Sequence, residues 1–310
     1  MYQDNDESRP DRQEEQRVDA SEGPRDDGSD NRNGEIRLSR RQALRAGAVG
    51  VGVFGTGCTS DNPSSVASGN TTSARGGTPT ATGNDEVPDT DDMELILEDR
   101  FRANELDTST WRDKYPWDAR THNYDGYAAP ENVFVEDDRL VLKAEDRPTK
   151  DREFTTGVVS AKEVFEPGYF EANIKIPPTV PGFWPAYWLT SASYHPPEID
   201  IFEFFGADPE VYMTYHYANS EGEERKVQET WGGPNLSADF HTYSVDWDPP
   251  EKVVWYIDGI ERFRYDGPHV SDESCYLILN FGIDRPGDPS PRSKDLPATY
   301  EVDWIRCWER

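Results

Sequence analysis

Three carboxylates crowd one short apolar run, Pro197-Glu198-Ile199-Asp200-Ile201-Phe202-Glu203-Phe204-Phe205-Gly206. In a strand of two-residue period, Glu198 and Asp200 share one face, and Ile199 and Ile201 share the other. Glu203 follows Glu198 by an odd number of positions, so a regular strand would turn it to the apolar face. One extra residue, taken up as a β-bulge near Ile201 and Phe202, returns Glu203 to the face of the other two acids. Carboxyls converging on one cleft repel each other, which spreads their pKa values and keeps one protonated near neutrality. An ionised carboxylate beside a protonated carboxyl is the pairing that cleaves a glycosidic bond, one group attacking and the other donating a proton. In a chain with 61 acidic side chains, a lone Glu-x-Asp is equally compatible with a solvated polar face. Pro196-Pro197 and the aromatics Phe202, Phe204 and Phe205 instead set these acids beside a large apolar surface, which favours the chemical reading.

Such a strand needs a sheet to hold it. From residue 93 onward, short alternating or apolar runs recur at 139–143, 168–176, 198–205, 253–257, 261–265, 275–281 and 300–308, separated by Gly, Pro, Asn and Asp. Ile257-Asp258-Gly259-Ile260 predicts a tight hairpin, since Asp-Gly accepts the positive φ of a type I′ turn. No long stretch has helical periodicity. Many short strands with turn signals and no helices predict an all-β sandwich of two antiparallel sheets.

Glu198-Ile-Asp200-Ile-Phe-Glu203 resembles the signature of glycoside hydrolase family 16 in its longer Glu-x-Asp-x-x-Glu form. Other segments resemble the family in its own order. They are Leu106-Asp107 with Trp111, Glu131-Asn132-Val133, Thr156-Gly157, Gly168-Tyr169-Phe170-Glu171, Gly182-Phe183-Trp184-Pro185-Ala186-Tyr187-Trp188, Phe240-His241 with Trp247, Trp255 to Gly259, Leu279-Asn280 and Val302-Asp303-Trp304. The resemblance covers roughly residues 95–310 and implies a concanavalin A-like jelly roll that cleaves internal β-linkages of a polysaccharide with retention. The β-1,3- or β-1,3-1,4-glucans are the expected substrates. Galactans such as agar or carrageenan, transglycosylation, and a non-catalytic sugar-binding module are the alternatives, since fold alone does not give activity.

Carried over by position, the resemblance makes Glu198 the nucleophile, Glu203 the general acid/base and Asp200 the assisting carboxylate. It sets Trp184, Trp188, Asn132, His216 and Asn280 on the cleft. Locally, Trp188, Trp247, Trp255 and Trp304 read as core residues, whereas Trp184, before Pro185, suits a sugar platform. No cofactor is required for catalysis. The resemblance also brings a candidate structural calcium, held by Asp303 with carbonyls near Glu98 and Asp138. The chain departs from the family pattern at Tyr169, where Arg is common and often contacts sugar, and at Asp137-Asp138, where Gly is usual.

The remainder of the chain is a polar leader. Residues 1–35 are acidic without apolar periodicity and read as disordered. Arg40-Arg41, a short apolar run and Gly55-Thr56-Gly57-Cys58 follow in the order of an export signal. The paired arginines resemble a twin-arginine motif, and Cys58 falls where a lipoprotein is lipidated. Residues 59–92, rich in Ser, Thr and Gly, read as a flexible stalk. The expected organisation is thus leader and signal over 1–58, stalk over 59–92 and catalytic domain over 93–310. The expected location is extracellular, with contact to a membrane only through a lipid on Cys58.

Net charge is −29, and only 8 of the 32 basic residues are Lys. That balance excludes nucleic acid as a partner, because phosphate binding needs clustered cations. It suggests adaptation to concentrated salt, where like-charge repulsion is screened. The expected partner is a polysaccharide, bound by a monomer. For Cys275 and Cys307 two readings stand: a disulfide in an exported domain, or two buried small residues.

Overall fold

The computed structural model describes residues 87–122, 126–283 and 289–310. The leader, the export signal with Cys58, and the stalk up to residue 86 lie outside the described residues. Among the described residues, seventeen strands form two large antiparallel sheets and one small parallel pair. One sheet runs β15 (Ile260–Tyr265), β14 (Lys252–Ile257), β13 (His241–Asp248), β8 (Gly168–Lys175), β17 (Ala298–Glu309), β5 (Arg139–Ala144), β4 (Val133–Glu136), with β1 (Glu94–Asp99) also on β17. The other runs β12 (Glu224–Trp231), β11 (Val211–Ala218), β10 (Glu198–Glu203), β9 (Phe183–Ser191), β16 (Cys275–Ile283), β7 (Val158–Phe165), β2 (Trp111–Arg112). The parallel pair is β3 (Gly126–Ala128) and β6 (Phe154–Thr156). Among the described residues the only helices are single 3-10 turns, Pro130–Asn132 and Ser293–Asp295. The all-β, two-sheet expectation is the observed fold.

Alternation builds the core. Tyr243, Val245 and Trp247 of β13 and Val253, Trp255 and Ile257 of β14 meet Ile199 and Phe202 of β10 and Leu277, Leu279 and Phe281 of β16 in one buried cluster. Burying a Trp in such a cluster stabilises the fold by about 3–5 kcal/mol, judged by the cost of Trp→Ala in cores. The reverse face of the β10 sheet carries a second, smaller cluster of Tyr115, Ala128, Val158, Ala186, Trp188 and Ile278, which floors a cleft. Asp258 and Gly259 both adopt positive φ, 54° and 73°, as a type I′ hairpin requires. Asp137 and Asp138 turn β4 into β5 the same way, with φ of 51° and 57°, so Asp does there what Gly does in the family.

One sequence expectation needs correction here, and one open choice is decided. Trp304 is not a core residue: it is half-buried, with the Arg306 guanidinium 4.7 Å above its ring. Cys275 and Cys307 are free thiols rather than a disulfide. Cys275 lies on β16 and Cys307 on β17, in different sheets, and each is fully buried. Burial pushes both thiols up, which keeps them protonated and unreactive.

Candidate active site

β10 carries the bulge that its residue types imply. Asp200 pairs with Thr214 of β11, yet the next pair on that side is Glu203 with Tyr212, so β10 spends one more residue than its neighbour. The same slip separates Asp200–Trp188 from Phe202–Tyr187 on the β9 side. Ile201 and Phe202, though consecutive, are both buried in the inter-sheet core. Glu198, Asp200 and Glu203 consequently line one cleft on the reverse face, with a volume of about 750 Å³. Trp255 reaches across from β14 and donates its indole N–H to the Asp200 carbonyl at 2.8 Å, satisfying a backbone acceptor where the ladder is irregular.

Neighbouring side chains orient the carboxyls. Trp184 Nε1 donates to Glu203 Oε1 at 2.8 Å. Trp188 Nε1 donates to Asn280 Oδ1 at 2.7 Å, which fixes the amide that faces the cleft. His216 Nε2 lies 3.6 Å from Asp200 Oδ2 and 3.8 Å from Glu198 Oε1. His195 Nδ1 lies 3.7 Å from Glu198 Oε2. On their far sides both imidazoles reach the same atom, Glu224 Oε1, at 3.3 Å from His216 Nδ1 and 3.4 Å from His195 Nε2.

Asp200 is only 4% exposed, and burial raises the pKa of its carboxyl. Burial also raises the Glu198 carboxyl, and the Asp200 charge pushes it further up, against the pull of His216 and His195. The two acids therefore compete for ionisation, as like charges held together out of water must.

The structure brings Trp184, Trp188, His216 and Asn280 into the cleft with the three acids. It does not bring Asn132. That residue is fully buried at the 3-10 turn, where its amide donates to the Lys143 carbonyl at 2.9 Å and accepts from Arg147 at 2.6 Å. Tyr169 also belongs elsewhere. It packs with Val254 and Tyr256 in a cluster apart from the cleft, bonded to Ser244 at 2.9 Å, so the exchange of Arg for Tyr there removes no cleft contact.

Asp303 shares a groove with Asp137, Asp138, Arg100, Arg102 and Arg139. A calcium needs six to eight oxygen ligands. Three guanidiniums open onto that groove, and Glu98 is engaged by Arg100 at 3.0 Å and Arg306 at 3.1 Å. With that cationic lining, the residues present do not suit a calcium.

Several cleft residues were not legible from sequence. Trp117 and Tyr194 are large aromatics left 44% and 59% exposed on the cleft wall. Trp117 stacks on Tyr115 at 5.1 Å and leans on Trp188 at 6.3 Å. His122, His195 and Tyr276 complete that wall. Except for Tyr276 on β16, these residues sit outside the regular strands, where no periodicity marks a direction. The available signal was a loop Trp flanked by Pro116 and Asp118.

The sequence pattern of the family described as Glycosyl hydrolases family 16 matches residues 120–276. The chain is 28% identical over 269 residues to a glucan endo-1,3-beta-glucosidase A1 of Niallia circulans, covering 70% of this chain and 38% of that protein. It is 27% identical over 261 residues to a beta-glucanase of Rhodothermus marinus, covering 73% and 88%. The fold superposes on the crystal structure of SCLam, a non-specific endo-beta-1,3(4)-glucanase, with a TM-score of 0.63 at 26% identity, covering 74% of this chain and 96% of that one. The chain thus spans well under half the length of the Niallia relative.

Proposed function

Because the chain belongs to the glycosyl hydrolases family 16, we propose that it is an endo-acting, retaining β-glycosidase whose substrate is a β-1,3- or β-1,3-1,4-glucan. The observation that carries this reading is the bulge at Ile201, which delivers Glu198, Asp200 and Glu203 to one cleft walled by aromatic rings. A retaining reaction needs a carboxylate that attacks the anomeric carbon and a carboxyl that protonates the leaving oxygen. Glu198 takes the first part. Glu203, oriented by the Trp184 indole, takes the second and later withdraws a proton from the incoming water. Asp200 lies between them in sequence, and its charge adds to burial in raising the Glu198 carboxyl. Trp117, Trp184 and Tyr194 offer ring faces on which pyranoses stack. The glucan preference rests on the Niallia and Rhodothermus relatives. A polymer too large to enter a cell also suits the export signal read from residues 36–58.

The test is an activity screen of the full chain on laminarin, mixed-linkage glucan, agarose and carrageenan, with the anomer of the product followed by NMR. Release of β-anomeric reducing ends from laminarin or mixed-linkage glucan is expected. Turnover confined to agarose or carrageenan would overturn the glucan assignment, and none on any of the four would overturn the hydrolase reading.

Asp200→Asn is expected to shift the acidic limb of kcat/KM to lower pH. Glu198 attacks only when ionised, so activity falls as pH drops through its pKa. Removing the Asp200 charge removes one of the influences that raise it. An unmoved limb in the pH–rate profile would dissociate the two acids.

The composition further supports adaptation to salt. Acids such as Glu221, Glu223 and Glu224 are exposed together on and beside the β11–β12 turn. Molar salt contracts the Debye length to about 3 Å and removes most of their repulsion. Thermal midpoint and turnover are both expected to rise between dilute buffer and molar potassium chloride. A midpoint that is flat or falls would end the halophile proposal and leave the hydrolase one standing.

A further inference from the structure

Beside the three catalytic carboxylates, the loop before β10, strand β11 and the start of β12 bring together two imidazoles and a fourth carboxylate. His195 Nε2 and His216 Nδ1 stand 3.4 Å and 3.3 Å from one atom, Glu224 Oε1, and the three donors lie within 4.8 Å of one another. Zinc bound by imidazole nitrogen and carboxylate oxygen at about 2.0–2.1 Å in a tetrahedron requires donors about 3.3 Å apart. Two edges of that tetrahedron are already formed. His195 and Glu224 are exposed enough to close the third by a small side-chain rotation, with side-chain exposures of 43% and 54%.

The far sides of the two rings point to the same ligand. A metal-bound His as a rule donates its other N–H to a carboxylate, which orients the ring and raises its basicity. Here both remaining nitrogens face acids: His195 Nδ1 lies 3.7 Å from Glu198, and His216 Nε2 lies 3.8 Å from Glu198 and 3.6 Å from Asp200. The proposed mechanism uses neither Glu224 nor His195.

We propose that His195, His216 and Glu224 form an inhibitory site for a divalent first-row transition cation of the zinc class, at the wall of the cleft. Mixed imidazole and carboxylate ligands select such ions over calcium or magnesium, which take oxygen. Once filled, the site places two positive charges one imidazole ring away from Glu198 and commits both imidazole N–H groups to the acids. Glu198 is thereby drawn away from the sugar, and the ion with its water occupies cleft space. The binding claim stands alone; its inhibitory consequence rests on the hydrolase reading.

Zinc is the probe, titrated by calorimetry into the full, tag-free chain after chelator treatment, with cobalt as the spectroscopic substitute. One ion per chain is expected, with a visible cobalt band of tetrahedral intensity. Affinity should fall at least about tenfold in His195→Ala and in Glu224→Gln, each checked for an unchanged metal-free thermal midpoint, while Glu198→Gln should still bind one ion. In parallel, saturating zinc should reduce glucan hydrolysis at least about tenfold, and chelator should restore it. No binding at millimolar zinc, or equal affinity in His195→Ala and Glu224→Gln, would overturn the site. The second result would move the ion inward to Glu198, Asp200 and His216. Binding with unaltered hydrolysis would overturn the inhibition. A chain inactive on every polysaccharide would sink the hydrolase reading, yet calorimetry would still decide the site.

Discussion

Glu198→Gly is expected to lower turnover by at least about three orders of magnitude, since removing one member of a catalytic group that acts as a unit commonly costs that much or more. Added azide should restore part of the rate on an activated aryl β-glucoside. The missing side chain leaves room for a small anion on the face of the sugar opposite the leaving group, and a single displacement there yields the α-glycosyl azide. In Glu203→Gly the nucleophile is intact, so two displacements occur and azide yields the β-glycosyl azide. Proton NMR of the products reads the anomer directly. Exchanged anomers would reverse the roles of Glu198 and Glu203, and a Glu198→Gly protein of undiminished activity would remove the mechanism.

Deleting Ile201 is expected to cost stability and to spare the chemistry. It is the residue that β10 has in excess of its neighbours. Without it Glu203 follows Glu198 by four positions, so strict alternation keeps both on the cleft face, and the pairs Glu203–Tyr212 and Glu203–Ala186 can persist. What is lost is a side chain buried between the sheets, at a cost of about 2–5 kcal/mol. The thermal midpoint should fall, while the folded protein keeps its pH profile and most of its turnover. Ile201→Val keeps the residue count and should cost about 1 kcal/mol. That contrast separates the number of residues in the strand from the side chain at that position. A folded deletion protein without activity would show that the face of Glu203 is not set by the parity of its spacing from Glu198.

Much of this was legible in the sequence because strand periodicity is local. The alternation Glu198-Ile199-Asp200-Ile201 states which residues share a face. The odd spacing to Glu203, read with its apolar neighbours, states that a bulge must intervene. Asp258-Gly259 names its own hairpin, since few residue pairs accept positive φ at both turn positions. Asn132 was misplaced for the opposite reason: it stands in a 3-10 turn after Pro130, where the direction of a side chain is set by the amide's partners, Lys143 and Arg147. Trp304 followed the core expectation for Trp, but on β17 its ring lies under Arg306 at a groove.

By itself, then, the sequence determined the all-β class, the faces of β10 and the identity of the acids that meet there. Only the tertiary structure decided what stands opposite those acids. β10 lies between β9 and β11, β9 is bonded in turn to β16, and Trp255 arrives from the other sheet. Those neighbours depend on long-range strand pairing, which buries apolar surface from segments far apart in the chain and leaves no local periodic trace. The same pairing gathers His195, His216 and Glu224 around one oxygen atom, and it leaves Cys275 and Cys307 buried as thiols in separate sheets. Alternation sets the direction of a side chain, whereas sheet order, chosen by the packing of the whole core, sets its company.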